Sequence, residues 1–161
     1  MAAVQGHLQA SDGIEQIEMA PYLTKLSSGL ASSMVDSSQD ISILVSAGEG
    51  ALPSSHAVSI GLIVTELIIN AIKYAFPRRR PSAKVRVTFE MARSDWKLTV
   101  SDNGIGRPSG SDSKAAVGLG TVLVSALAKQ LDAQITEHSS RRGLEIVISR
   151  ATFHSDVASA G

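Results

Sequence analysis

Four polar side chains interrupt a long apolar stretch of the sequence between residues 54 and 76. They are Glu66, Asn70, Lys73 and Tyr74, at the spacing i, i+4, i+7 and i+8. In an α-helix this spacing places all four on one face, stacked along two turns. The carboxylate and amide oxygens suit a hard cation such as Mg²⁺, and the lysine suits a phosphate group. The pattern predicts either the wall of a phosphate-binding pocket or the solvent-facing stripe of an amphipathic helix.

A second group of residues with chemical potential directly follows an alternating segment typical of a β-strand. It consists of Asp102, Gly104 and Gly106. Glycines at such a turn let the backbone approach a ligand closely, although a plain hairpin turn explains the same residues. The group is not a dinucleotide-binding fingerprint, because the next glycine, Gly110, comes one place too late.

A third group, Gly118, Leu119, Gly120 and Thr121, opens a predicted helix. The unpaired N–H groups at a helix N-terminus form a natural phosphate site, and Thr121 is placed to cap the helix or to contact a phosphate. The alternative is that these residues only mark the point where the helix begins. The sequence contains no Gly-Lys-Ser/Thr, so this is not a P-loop.

The elements that must position these residues form a two-layer α/β (α+β) sandwich. Hydrophobic periodicity predicts helices over 21–31, 54–76 and 118–131. Pro21 opens the first, Ser54 or Ser55 caps the second, and Leu119, Leu123, Leu127 and Leu131 form one stripe on the third. Strands are predicted over 41–45, 84–90, 96–101, 133–137 and 144–149, and the last four pair as two hairpins. We therefore expect a mixed sheet of about five strands, covered on one face by three helices.

Composition narrows the classes of function. The 161 residues suit one domain, placed here at 21–150, with a connector over 1–20 and a disordered tail over 151–161. The 15 basic and 15 acidic residues cancel, which argues against nucleic-acid binding through bulk charge. The absence of cysteine excludes disulfides, thiolate metal sites and thiol catalysis. No uninterrupted apolar run approaches 18 residues and no signal peptide is recognisable, so we expect a cytoplasmic segment without membrane contact.

Taken in order, the three groups resemble the ATP-binding domain of the GHKL superfamily. The segment 61–77 is very like the N box of sensor histidine kinases of the subgroup related to the HWE kinases, and 96–106 is similar to their first glycine box. The likeness covers about residues 20–150. It implies the Bergerat-type fold, with ATP between the long helix and a lid over 107–117.

The resemblance also implies a role for each residue. Asp102 would accept a hydrogen bond from the adenine amino group, and Gly104 and Gly106 would let the loop pass close to the nucleotide. Asn70 would bind Mg²⁺, with Glu66 helping to hold the metal or polarising the attacking nucleophile. Tyr74 would lie near the adenine or the ribose. The phosphates would be contacted by Lys73 and, through backbone and hydroxyl groups, by Gly118, Leu119, Gly120 and Thr121.

Two features depart from the family pattern. The lid contains no phenylalanine. Gly143-Leu144 stands where many relatives have Gly-Thr, whose hydroxyl supports the adenine-binding aspartate. A water molecule or Ser101 is the expected substitute for that hydroxyl.

The implied activity is transfer of the γ-phosphoryl group of Mg·ATP to a histidine on a separate or missing dimerisation domain. The four histidines, His7, His56, His138 and His154, lack the acceptor context, so we expect that the chain does not phosphorylate itself. The expected partners are an upstream histidine-bearing domain, within a homodimer, and a response regulator. A non-catalytic histidine-phosphotransfer or interaction module and an anti-sigma-type serine kinase are the alternatives.

One basic cluster stands apart from these groups. The consecutive residues Arg78, Arg79 and Arg80 follow the long helix. The helix dipole favours a solvated cationic cluster at this end, which is the interpretation we prefer, and docking of a partner is the alternative.

Overall fold

The computed structural model describes residues 15–36, 38–106 and 119–150. These residues form three α-helices, α1 (Met19–Met34), α2 (Ser54–Asn70) and α3 (Leu119–Gln130). Helix α2 continues directly into a π-helical turn, Ala71–Ala75. The strands are β1 (Gln16–Glu18), β2 (Ile41–Ala47), β3 (Ala51–Pro53), β4 (Ala83–Ala92), β5 (Asp95–Asp102), β6 (Gln134–Ser140) and β7 (Gly143–Arg150).

Five of the strands form one mixed sheet in the order β2-β4-β5-β7-β6. Strand β2 is parallel to β4, whereas every other neighbouring pair is antiparallel. The hairpins β4–β5 and β6–β7 are those that the sequence predicts. Strand β5 is the central strand of the sheet, so a residue at its end has a neighbouring strand on each side.

One face of the sheet carries the core. Buried side chains alternate along β4 and β5, as expected for strands with one apolar face. The Phe89 and Trp96 rings stack there with their centroids 6.2 Å apart. Burial of each large apolar side chain of this kind contributes about 1.5–3 kcal/mol, so this face holds the helices in place. Its buried members on the two strands are Val85, Val87, Phe89, Trp96, Leu98 and Val100.

The three helices form the second layer, with α2 between α1 and α3. Helix α2 buries residues on more than one side, among them Ile60, Ile63, Val64 and Ile68, which explains its nearly continuous apolar sequence. Together with its π-helical turn it is long and apolar enough to cross a membrane by those two measures alone. Half of that segment is buried against the rest of the domain, as in the core helix of a globular fold.

The structure differs from the sequence-based expectations at the start of the domain. Strand β1 pairs with β3 in a two-stranded ribbon, and α1 begins at Met19, two residues before Pro21. Residues 16–20, expected within the connector, are therefore attached to the domain. Pro53 occupies the cap position of α2 and no side-chain cap is formed, so neither Ser54 nor Ser55 has the predicted capping role.

The buried stripe of α3 also differs from the prediction. Its core residues are Val124, Leu127 and Ala128, followed by the buried Leu131 directly after the helix, whereas Leu123 is 38% exposed. A helix has 3.6 residues per turn, so residues spaced by exactly four positions lie progressively further around the helix. A stripe built only of i+4 steps therefore cannot face the core along its whole length. Alternation of i+3 and i+4 steps keeps the observed stripe on one side.

Candidate functional site

Asp102 is the last residue of the central strand β5. Because side chains alternate along a strand, it shares the helix-facing side with Val100, Leu98 and Trp96. The main-chain N–H groups of Gly104 and Leu144 donate hydrogen bonds to its Oδ1, with lengths of 2.9 and 3.3 Å. The carboxylate is thus held from both sides by backbone, one donor from its own loop and one from the neighbouring strand β7.

The second carboxylate oxygen, Oδ2, makes no hydrogen bond within the described residues. Burial raises the pKa of Asp102 above its ordinary value, and the two backbone hydrogen bonds lower it only in part. A partly buried carboxylate with one oxygen fixed and the other available can accept a hydrogen bond from a ligand amino group. The side chain also borders an open pocket of about 270 Å³ beside the β6–β7 hairpin.

The Leu144 N–H donates a hydrogen bond to Asp102, although residue 144 lacks the threonine hydroxyl that many relatives have there. Gly143 adopts φ +134°, and a Cβ at this position would collide with the carbonyl oxygen of Asp102. The glycine lets β7 approach the end of β5 closely enough for the Leu144 N–H to reach the carboxylate. Main chain therefore supplies a hydrogen bond to the aspartate, and the site does not depend on Ser101 or a hydroxyl at residue 144 for it.

The glycines after Asp102 fit against neighbouring protein backbone. A Cβ on Gly104 would overlap Ala75, the last residue of the π-helical turn, whose carbonyl oxygen accepts a 3.0 Å bond from the Ile105 N–H. Gly106 has φ +74° and lies against the carbonyl oxygen of Ser140. The loop is thereby hydrogen-bonded to the end of the long helix and packed against the β6–β7 hairpin.

Asn103 is a positioning residue that the sequence analysis did not single out. Its Oδ1 accepts a 2.7 Å bond from the Lys84 N–H, and its Nδ2 donates a 2.8 Å bond to the Ser82 carbonyl oxygen. Its own N–H donates to the Lys84 carbonyl oxygen at 3.2 Å. The tendency of asparagine to bond backbone at turns was the available signal.

The polar residues of α2 fall into two pairs. Glu66 and Asn70 lie in the regular helix at i and i+4 and are half-buried, whereas Lys73 and Tyr74 lie in the π-helical turn and are exposed. The prediction that all four side chains share one face assumes 3.6 residues per turn throughout. The i→i+5 bonds of a π-helix widen the turn, so this assumption holds only as far as Asn70. Short π-helical segments occur frequently at functional sites.

The third glycine group is described only in part. Gly118 and the lid over 107–117 lie outside the described residues. Leu119 and Gly120 are the first two residues of α3, as predicted to within one residue, and Thr121 is half-buried in its first turn. The backbone N–H groups at this end are the donors that a phosphate would use.

The side chains present fit a magnesium ion shared with phosphates better than a metal held by protein alone. Among the described residues there is no group of three or more His, Asp or Glu that could hold a metal. The Asn70 and Glu66 side chains carry oxygen atoms on one half-buried face. Mg²⁺ typically takes one or two protein oxygens and completes its shell with water and phosphate.

Comparison with known proteins agrees with this geometry. Residues 55–154, which contain α2, the Asp102 loop and α3, match the family described as histidine kinase-, DNA gyrase B- and HSP90-like ATPase. The chain belongs to this ATPase family. Its mixed sheet with three helices on one face is the fold of the family's histidine kinase members, as the motifs predicted.

Histidine kinases are prominent among the similar proteins of this ATPase domain. Blue-light-activated histidine kinase 2 of Erythrobacter litoralis is 29% identical over 132 residues, which is 82% of this chain and 37% of that protein. Sensor histidine kinase PdtaS of Mycobacterium tuberculosis is 30% identical over 101 residues, 62% of this chain and 20% of that protein. The matched segments thus span less than two-fifths of the length of either curated relative.

Solved structures give the same result. The histidine kinase domain of the Erythrobacter litoralis EL346 blue-light activated kinase superposes with a TM-score of 0.73 at 27% identity, covering 83% of this chain and 60% of that one. A second EL346 structure gives a TM-score of 0.76 at 25% identity, with 87% and 44% coverage. The catalytic ATP-binding domain of a sensor histidine kinase, expected from the motifs, is confirmed, and membership of the HWE-related subgroup stays a prediction.

Proposed function

We propose that this ATPase domain binds Mg·ATP between α2 and the Asp102 loop and transfers its γ-phosphoryl group to a histidine of a separate dimerisation domain. The observation that carries the proposal is the Asp102 carboxylate, fixed by two main-chain donors at the end of the central strand with Oδ2 available. An adenine amino group needs such an acceptor in a fixed orientation. The loop bonded to Ala75 brings this acceptor beside the helix that carries Asn70 and Lys73.

The roles of the residues follow from their chemistry. Asp102 would accept from the adenine amino group, and the ring would lie near Tyr74. Bound Mg²⁺ would neutralise phosphate charge, held through Asn70 with Glu66 as a second oxygen donor. Lys73 and the N-terminus of α3, at Leu119, Gly120 and Thr121, would contact phosphate oxygens, and we extend this role to Gly118 from the motif alone. Positioning and charge neutralisation are the main requirements of phosphoryl transfer.

In the transfer step a neutral imidazole nitrogen of the acceptor histidine attacks the γ-phosphorus. The bond from the γ-phosphorus to the β,γ-bridging oxygen breaks, ADP leaves with that electron pair, and the other imidazole nitrogen carries its proton to solvent or to Glu66. From the similarity to sensor histidine kinases, whose acceptor histidine lies on a dimerisation domain, we infer that the full-length protein is a homodimer. A response regulator would then take the phosphoryl group. Because ATP is supplied in the cytoplasm, we propose that the domain is cytoplasmic, whether or not the full-length protein is anchored in a membrane.

Nucleotide binding tests the first half of the proposal. In calorimetry with Mg·ADP the wild-type domain should bind, and Asp102→Ala should not. Asp132→Asn is a matched control, because Asp132 is exposed and lies at φ +54°, which asparagine tolerates. Equal affinity of wild type and Asp102→Ala would show that the site is assigned to the wrong residue.

Transfer from γ-labelled ATP tests the second half. The domain alone should stay unlabelled, and label should appear on a supplied histidine-bearing dimerisation domain in an acid-labile form, as expected for phosphohistidine. Acid-stable label on a partner serine would instead favour the anti-sigma-type serine kinase. Binding of a response regulator without any nucleotide binding would favour the non-catalytic interaction module.

A further inference from the structure

Three consecutive arginines, Arg78, Arg79 and Arg80, lie exposed on the loop between the π-helical turn and β4. The whole chain has a formal net charge of zero, so three adjacent positive charges make this loop locally different from the rest. Pro77 and Pro81 flank the cluster and restrict the backbone on both sides. None of the roles assigned to the site uses these arginines.

Both ends of this arginine loop are bonded to the loop that carries Asp102. At one end the Ala75 carbonyl oxygen accepts from the Ile105 N–H at 3.0 Å. At the other end the Ser82 carbonyl oxygen accepts from Asn103 Nδ2 at 2.8 Å. Each residue of chain spans at most about 3.6 Å, so the Cα atoms of Arg78 and Arg80 lie within roughly 11 and 7 Å of these anchors.

We propose that Arg78, Arg79 and Arg80 form an electrostatic capture surface that speeds the entry of polyphosphate nucleotides into the Asp102 site. This inference rests on the proposed nucleotide binding and adds a determinant of selectivity to it. Guanidinium groups keep their charge at every physiological pH. A positive cluster beside a binding site raises the association rate of anionic ligands, and the effect falls as salt increases.

The expected size follows from Coulomb's law. We take about 15 Å between each guanidinium and the phosphates, a dielectric constant of about 80 and two net charges on Mg·ATP. With a Debye length of about 30 Å at 10 mM ionic strength, removal of the three charges should slow association about five-fold. At 150 mM, where the Debye length is about 8 Å, the difference should shrink to about one-and-a-half-fold.

The test measures stopped-flow association of a fluorescent Mg·ATP analogue with the domain as a function of salt. The variant is the triple substitution Arg78→Gln, Arg79→Gln, Arg80→Gln. The control removes the same charge at the other end of β5, through Arg93→Asn, Lys97→Gln and Lys129→Gln. Arg93 has φ +59°, which asparagine tolerates. Lys97 and Arg93 lie about 17 and 23 Å from Asp102 along the direction of β5, and these two charges alone give about two-fold in the same calculation. With Lys129 at a similar distance, the control should slow association by at most about three-fold at 10 mM ionic strength.

A second variant, with lysine at all three arginine positions, keeps the charge and should restore the rate if charge is the cause. In competition assays with Mg²⁺-free nucleotides, whose charge falls from ATP to ADP to AMP, the loss on the glutamine variant should decrease in that order and vanish for adenosine. The same rate for wild type and glutamine variant at 10 mM ionic strength, or no recovery with lysine, would overturn the inference while leaving nucleotide binding intact. Absence of binding to the wild type would overturn the proposed function as well.

Discussion

The substitution Asp102→Asn tests the different roles of the two carboxylate oxygens, of which only Oδ1 is hydrogen-bonded to main chain in the described part of the chain. Oδ1 accepts from the Gly104 and Leu144 N–H groups, and an asparagine Oδ1 can accept from both in the same place. The amide nitrogen then occupies the position of Oδ2, where it donates and cannot accept. The substitution therefore preserves the contacts of the fold and removes the one proposed for the ligand.

The substitution should change ligand affinity much more than the free energy of unfolding. Loss of a hydrogen bond to a charged acceptor costs about 1.5–3 kcal/mol, so Mg·ADP affinity should fall about 10- to 150-fold. The free energy of unfolding should stay within about 1 kcal/mol of wild type, because both main-chain donors keep a partner. Asp102→Ala leaves the two donors unpaired and should cost about 2–5 kcal/mol of stability as well as binding.

The pH dependence of stability gives a further check on the same residue. Burial raises the pKa of Asp102 in the folded state above its unfolded value, so the folded state binds more protons between the two values. Its contribution to stability is present below the unfolded pKa and is lost as the pH rises through the folded pKa. Relative to Asp102→Asn, wild type should therefore lose stability as the pH rises above the ordinary pKa of an aspartate, and the loss should end once the pH has passed the raised pKa of the folded state.

The assays are urea unfolding followed by circular dichroism, and calorimetry with Mg·ADP, on the same preparations. An Asp102→Asn variant that unfolds as easily as Asp102→Ala would refute the division of labour between Oδ1 and Oδ2. Unchanged affinity in Asp102→Asn would refute the role of Oδ2 as the ligand acceptor.

Three further predictions concern the frame around this carboxylate and the core. Gly143→Ala should lower the free energy of unfolding, measured in urea, by about 2–4 kcal/mol, because the new Cβ meets the Asp102 carbonyl oxygen and φ is positive. The control Gly29→Ala has open space around it in α1 and should raise the free energy of unfolding by about 0.5–1 kcal/mol. Asn103→Ala should lower it by about 1–3 kcal/mol, and equal stability would contradict the clamp on β4. Ser27→Ala should raise the thermal midpoint by an amount equivalent to about 1 kcal/mol, because the buried Ser27 hydroxyl has no hydrogen-bond partner among the described residues. A lower midpoint would mean that the hydroxyl is satisfied in solution.

The sequence predicted those features of the fold and the site that depend on neighbouring residues alone. Alternation in β4 and β5, and the glycine and proline boundaries of the long helix, place Asp102 at a strand end and Asn70 near a helix end. The order of the motifs then identifies the family. These features are set by side-chain periodicity and turn chemistry, which a single sequence displays.

The remaining features depend on contacts between distant segments. The three residues of β1 gain strand geometry only by pairing with β3, and no short pattern marks them. The bond from Leu144 to Asp102 joins residues 42 positions apart and uses main chain, so the type of residue 144 carries no sign of it. The π-helical turn at Lys73 has the same residue types as a regular helix and becomes visible only in coordinates.

The central position of β5 has a consequence for how the domain opens. Amides of a strand that is paired on both sides exchange with solvent only in the largest unfolding events, whereas those of an edge strand exchange through small local openings. Strand β6 is such an edge, and all seven of its residues are exposed. Hydrogen–deuterium exchange should therefore find the slowest amides near Leu98 and Val100, directly ahead of Asp102. The carboxylate that we propose as the ligand acceptor is therefore attached to the part of the molecule expected to open last.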